Sequence, residues 1–133
     1  MSVFLDTSAI LAVLDADDLQ HREADAIWRR LLDSNETLLS TNYILVETFA
    51  LVQRRLGMDA VRAIESEIIP LLEIHWVDAE VHRVVVNQLL VASRRNLSLV
   101  DCSSFEVMRR HGVQTAFAFD SHFPEHGFDL MKA

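Results

Sequence analysis

The chain opens with an apolar run that stops on an acid. Val3, Phe4 and Leu5 follow one another without a polar break, and Asp6, Thr7 and Ser8 come next. A strand with one wet face alternates apolar and polar residues. A strand without that alternation is buried on both faces, as in the middle of a parallel sheet covered by helices. Thr7 and Ser8 are helix-capping types, so the strand is expected to turn directly into a helix. Asp6 then lies at the carboxyl edge of the sheet, where open α/β folds place their ligands. Asp6 is read as a metal ligand, and the question becomes whether the chain supplies it with partners.

Downstream, strand and helix patterns alternate. Ala24, Ile27, Trp28 and Leu31 fall at helical spacing, and Thr37–Ser40 is a short strand candidate. The stretch from Tyr43 to Leu56 carries Leu45, Phe49, Val52 and Leu56 on one stripe, with Gly57 as its stop. Asp59 starts another helix that ends at Pro70, and Ile74–Val77 reads as a third strand. Asp78 caps a helix reaching Arg95, and 96–100 reads as a loop. Asp101–Arg110 is helical again, and Gly112 ends it. Thr115–Phe119 is a fourth strand running into Asp120, and Phe128–Met131 offers a fifth at an edge. Alternation of this kind predicts an α/β fold with a parallel sheet covered on both faces. No repeat, low-complexity tract or linker divides the sequence, so residues 1–133 are expected to form one domain. Trp28 and Trp76 are both expected in the core.

Charge limits the partners. The formal net charge is −8, which argues against a broad basic surface for nucleic acid. Yet every basic residue except Lys132 is an arginine, and eight of them form the pairs Arg29-Arg30, Arg54-Arg55, Arg94-Arg95 and Arg109-Arg110. Arginine grips phosphate in a two-pronged fork. The simpler reading is that the pairs close helix C-termini, where cations favour the dipole. Cys102 is the single cysteine, which rules out an internal disulfide and fits a reducing, cytoplasmic setting. No apolar run approaches the length of a membrane span.

Two strands at opposite ends of the sequence are each followed by an aspartate, Asp6 and Asp120. Two more acids interrupt apolar helical runs: Glu47 between Val46 and Phe49, and Asp101 after Leu99-Val100. Acids are rarely buried unless they are paired or hold a metal. Four in one cleft would repel one another, and a divalent cation removes that penalty. The donors are hard oxygens and no Cys or His repeats at zinc spacing, so Mg2+ or Mn2+ is expected. Such a site suits phosphodiester hydrolysis, since the ion activates water and stabilises charge on the phosphate. Each acid also has a plainer role open to it. Asp6 and Asp101 would cap helices, Glu47 would pair with Arg54, and Asp120 would close a turn before Ser121-His122. His122 would then cap that turn or touch a substrate, and His21 would lie on a helix surface.

Four segments together have a familiar pattern. Leu5-Asp6-Thr7-Ser8-Ala9, Thr41-Asn42-Tyr43-Ile44-Leu45-Val46-Glu47, Leu97-Ser98-Leu99-Val100-Asp101-Cys102-Ser103 and Ala118-Phe119-Asp120-Ser121-His122-Phe123 occur in order along the chain. The set resembles the PIN-domain ribonucleases, and within them the toxins of VapBC toxin–antitoxin pairs. The resemblance implies a three-layer α/β/α sandwich with a central parallel sheet of four to five strands. It implies an endoribonuclease dependent on Mg2+ or Mn2+, with Asp6, Glu47, Asp101 and Asp120 as its acidic quartet. The metal would be held chiefly by Asp6 and Asp101, with Asp120 acting through water. Thr7 and Ser8 match hydroxyl residues that orient a water or a carboxylate. An RNA substrate, a homodimer and an antitoxin whose C-terminal segment blocks the cleft are implied as well. Cys102-Ser103 departs from the family's usual small residues but keeps their size.

Two alternatives stand beside this reading. One is a non-toxin or degenerate PIN domain that binds RNA or protein without cutting. The other is a phosphoryl-transfer enzyme using Asp6 as nucleophile. It is disfavoured because Ser8 stands where a second aspartate belongs, and the only lysine is Lys132.

Overall fold

In the computed structural model, which describes residues 1–133, five parallel strands form one sheet in the order β3-β2-β1-β4-β5. β1 (Ser2–Leu5) lies at its centre, paired with β2 (Thr37–Thr41) on one side and β4 (Thr115–Phe117) on the other. β3 (Leu72–His75) and β5 (Asp129–Leu130) are the edges. Val3, Phe4 and Leu5 are buried, as the unbroken apolar run requires of a strand covered on both faces. The chain steps outward from β1 through β2 to β3, then returns to the opposite side for β4 and β5. The switch point therefore lies between β1 and β4, and Asp6 follows β1 directly into it.

Helices fill the crossovers. α1 (Thr7–Leu14) starts on Asp6, whose side chain caps it by accepting from the Ser8 N–H. α2 (His21–Leu32) buries Ala24, Ile27 and Leu31 and ends on Arg29 and Arg30. α3 (Asn42–Leu56) is capped by the Thr41 hydroxyl, which accepts from the Ile44 N–H at 3.1 Å, and stops at Gly57 with φ +90°. α4 (Met58–Ala63) runs on through one π-helical turn, Ile64–Ile68, and one 3-10 turn, Ile69–Leu71, into β3. α5 (Ala79–Ala92) is capped by Asp78; α6 (Leu99–Arg110) and α7 (His122–Glu125) follow. No helix is long and apolar enough to cross a membrane.

Several boundaries depart from the sequence pattern. β3 begins two residues earlier than Ile74, so Trp76 lies beyond its end and is 72% exposed rather than in the core. α3 turns its deepest face through Ile44, Thr48 and Val52, one position round from the expected stripe. The polar Thr48 is accommodated because the Thr7 hydroxyl meets its hydroxyl at 3.0 Å. α5 stops at Ala92, where Ser93 takes left-handed dihedrals (φ +52°), instead of reaching Arg95. Three of the four arginine pairs do close helices, at α2, α3 and α6. β4 ends at Phe117, leaving Asp120 three residues past the strand.

Candidate active site

A cleft of about 380 Å³ opens at the carboxyl edge of β1 and β4, and Asp6, Glu47, Asp101 and Asp120 all line it. Each arrives on a different element. Asp6 is the residue after β1, and its backbone N–H donates to the Phe117 carbonyl of β4 at 3.1 Å. Glu47 sits one turn into α3, where its neighbour Thr48 is buried against Thr7. Asp101 is the third residue of α6. Asp120 lies in the connection between β4 and α7 and accepts the His122 N–H at 2.9 Å. Residues separated by more than a hundred positions thus converge because the sheet places β1 beside β4.

Ser8 braces the deepest acid. Its hydroxyl donates to Asp6 Oδ2 at 2.6 Å, and the Ser8 N–H reaches the same oxygen at 3.1 Å. The Phe119 N–H donates to the Ser8 oxygen at 2.9 Å, tying the β4–α7 connection to the first carboxylate. Thr7 is 4% exposed and meets Thr48 across the α1–α3 contact, so its hydroxyl is a cross-brace beneath the cleft.

The electrostatics of the cleft are unbalanced. Asp6 is 6% exposed, and burial pushes its carboxyl up to about 6 against the pull of the two Ser8 hydrogen bonds; Glu47 and Asp120 add repulsion. Burial also raises Asp101, opposed by the Ser98 N–H and reinforced by the charge on Asp120. No arginine or lysine pairs with any of the four acids. Glu47 in particular makes no bond to Arg54. A buried carboxylate without a countercharge is costly. Clustered hard oxygens without an arginine or lysine partner are the donor set that a divalent cation satisfies.

The tightest grouping is Asp101, Asp120 and His122, whose donor atoms all lie within 4.8 Å of one another. Asp6 is outside it. Asp120 links the two halves, since it repels both Asp6 and Asp101. In the sequence, His122 stands two residues after an acid at the switch point. Residues 96–100 are not wholly a loop: Ser98-Leu99-Val100-Asp101 is a helix-start signature, and α6 begins at Leu99. Ser98 accepts the Asp101 N–H at 3.0 Å, and Asp101 accepts the Ser98 N–H at 3.1 Å, a reciprocal cap. His21 is held elsewhere, with Nδ1 2.7 Å from the Ala12 carbonyl.

Sheet order, switch-point cleft and four converging acids define a class, and the chain belongs to the PIN-domain family, whose pattern it matches over residues 3–129. Among individual relatives, it is 33% identical over 127 residues to the 23S rRNA-specific endonuclease VapC20 of Mycobacterium tuberculosis, covering 95% of each chain. The crystal structure of that VapC20, a sarcin-ricin loop cleaving toxin, matches with a TM-score of 0.87 and 32% identity over 98% of this chain and 99% of the other. FitAcB from Neisseria gonorrhoeae shares the fold at 17% identity (TM-score 0.68, covering 98% and 96%). VapBC2 from Rickettsia felis, bound to a DNA fragment from its promoter, shares it at 14% (TM-score 0.70, covering 98% of each).

Proposed function

We propose that the chain is an endoribonuclease of the VapC type that hydrolyses a phosphodiester bond of ribosomal RNA at the four-carboxylate cleft. The observation that carries this reading is the convergence of Asp6, Glu47, Asp101 and Asp120 with no arginine or lysine paired to any of them. The 33% identity to an enzyme that cuts 23S rRNA supports a ribosomal target over a random single strand.

In this reading Asp6, Asp101 and Asp120 hold Mg2+ or Mn2+, which when bound supplies an activated water and charge stabilisation at the scissile phosphate. Ser8 keeps the Asp6 oxygen oriented, and Glu47, free of any partner, accepts a proton or holds water at the rim. Thr7 braces α1 against α3 beneath the cleft through Thr48. Arg95 is exposed, has no ion-pair partner and precedes the cleft-lining Asn96, which makes it a candidate contact for the RNA backbone. A chain of charge −8 holds a polyanion through such local cations and the bound ion rather than through its overall field.

The same acidity suits the chain to a basic antitoxin segment laid over the cleft. Leu90 and Val91 on α5 are 69% and 86% exposed, apolar surface suited to a homodimer or to that antitoxin. A ribosomal substrate places the protein in the cytoplasm, and residues 1–133 act as a single PIN domain.

Incubating the full-length chain with 23S rRNA and with a synthetic stem-loop from it tests the activity. One discrete cut is expected with Mn2+ or Mg2+, and none with EDTA. RNA left intact under every condition, or cut equally well in EDTA, would overturn the reading.

A further inference from the structure

His122 occupies an unusual position. Its ring stands inside the cleft at 14% exposure, and Nδ1 lies 2.9 Å from Asp120 Oδ1 and 3.5 Å from Asp101 Oδ2. By distance alone these would be ion pairs. Neither approach has the alignment of a hydrogen bond, and Nδ1 is sealed from solvent without a partner in the chain. A buried ring nitrogen left unsatisfied is uncommon and calls for a reason. Its surroundings also explain why it stays in place: α7 begins at His122, and the His122 carbonyl lies 2.8 Å from His126 Nδ1.

The spacing supplies a reason. An ion held octahedrally at about 2.1 Å from its donors has neighbouring donors about 3 Å apart. The contacts of 2.9 and 3.5 Å bracket that edge, and the three donor atoms all fall within 4.8 Å of one another. The two oxygens are otherwise lightly used. Asp120 Oδ1 accepts one backbone N–H, from His122, and Asp101 Oδ2 accepts one, from Ser98. Each therefore has a lone pair to spare.

We propose that His122 is itself a ligand, so that Asp101, Asp120 and the His122 Nδ1 form a mixed oxygen–nitrogen face for the divalent cation. The inference rests on the metal-dependent reading of the cleft and adds a donor that the acidic quartet lacks. It has a chemical consequence. An imidazole nitrogen adds little for Mg2+, a hard ion that prefers oxygen and water, and adds more for Mn2+ and the later divalent metals. The cleft of this chain is therefore tilted towards Mn2+. The ion is drawn towards the α6–α7 side of the cleft, where Asp101 and Asp120 hold it together with His122.

Mn2+ bound to the full-length chain can be examined by pulsed electron paramagnetic resonance, which reads nitrogen coordination without reference to activity. Nitrogen modulation of the manganese signal is expected in the wild type, changing pattern when the histidines carry 15N and vanishing in His122→Gln. Calorimetric titration should show Mn2+ binding weakened about tenfold or more by His122→Gln while Mg2+ binding changes little. A bound Mn2+ without nitrogen modulation, or modulation that persists in His122→Gln, overturns the ligand role and leaves the nuclease reading standing. If the wild type binds no Mn2+ or Mg2+ at all, the metal-dependent reading falls and this inference falls with it. Thermal melts of the metal-free proteins keep the comparison sound, and Asp120→Asn, which should also lose Mn2+, gives a second variant.

Discussion

Asp6 and Asp101 face the same cleft from two helix N-termini, yet they are held in opposite ways. Asp6 caps α1 and is almost wholly buried; the hydroxyl that braces it belongs to Ser8, two residues on, and is in turn fastened to the β4–α7 connection at Phe119. Asp101 belongs to a reciprocal cap with Ser98 that is complete within its own helix, and it is only partly buried. One wall of the cleft is thus built across the sheet, and the other is local to α6. Burial raises both carboxyls, but Asp6 carries the larger electrostatic strain because little water reaches it. A site made this way stores repulsion on the sheet side and relieves it when a cation arrives.

The largest effect that tests this contrast is Asp6→Asn. Activity should fall about a thousandfold, the equivalent of about 4 kcal/mol of barrier. Stability should move the other way. A carboxyl raised from 3.8 to about 6 binds, in the metal-free folded state, a proton that the unfolded chain has already released. Its stabilising contribution is therefore greatest below pH 3.8 relative to the ionised state, declines as pH rises through that window, and above about pH 6 a bare buried charge is left. At pH 7.5 the cost is on the order of 3 kcal/mol, so metal-free Asp6→Asn should melt higher than wild type, with the difference shrinking towards pH 4. Metal binding should weaken as pH falls below about 6, because the ion must displace that proton. Thermal melts across pH, with and without Mn2+, check both signs. An Asp6→Asn variant that melts lower than wild type at pH 7.5 would show that the carboxylate is not strained.

The difference between the walls also explains what could be read from the sequence. The buried central strand, its terminal acid and the four-segment pattern lie in contiguous residues, and those gave the parallel sheet and the acidic quartet. Trp76 was misplaced because its apolar neighbours continue two residues past the point where β3 leaves the sheet. Thr48 on the inner face of α3 broke the apolar stripe, and its partner Thr7 is 41 positions away, out of reach of any local pattern. His122 lies in the last of the four segments, but nothing local marks it as a metal donor. Its meaning comes from where the β4–α7 connection sets its ring, against an aspartate on α6.

Ser8→Ala probes the cross-sheet wall more gently. It removes the 2.6 Å bond to Asp6 and leaves the Phe119 N–H without its acceptor. Loss of a bond to a charged group is expected to cost about 1–3 kcal/mol of stability in the metal-loaded protein. Because Ser8 holds the Asp6 carboxyl down against burial, its removal should raise that carboxyl further. The acidic limb of the pH–rate profile should move up by about one pH unit, with a rate loss approaching about tenfold at pH 5, falling to about twofold at pH 7 and largely recovered at pH 8.5. A uniform loss at every pH would mean that Ser8 acts on the substrate rather than on Asp6.

Ser98→Ala is the matching change on the local wall, and its effect should be the smallest. It deletes the cap of α6, worth about 1 kcal/mol, but Asp101 keeps the Ser98 backbone N–H at 3.1 Å and its place on the helix. Melting temperature should fall by a few degrees, while the pH–rate profile keeps its shape and the rate changes less than about threefold. The two serines are engaged differently: the Ser8 hydroxyl donates to the Asp6 carboxylate, and the Ser98 hydroxyl accepts from the Asp101 backbone N–H. If Ser98→Ala shifted the acidic limb as far as Ser8→Ala, the Asp101 carboxyl would depend on its cap as strongly as Asp6 depends on the cross-sheet brace. The cleft would then be two equivalent halves rather than one strained wall facing one self-contained helix start.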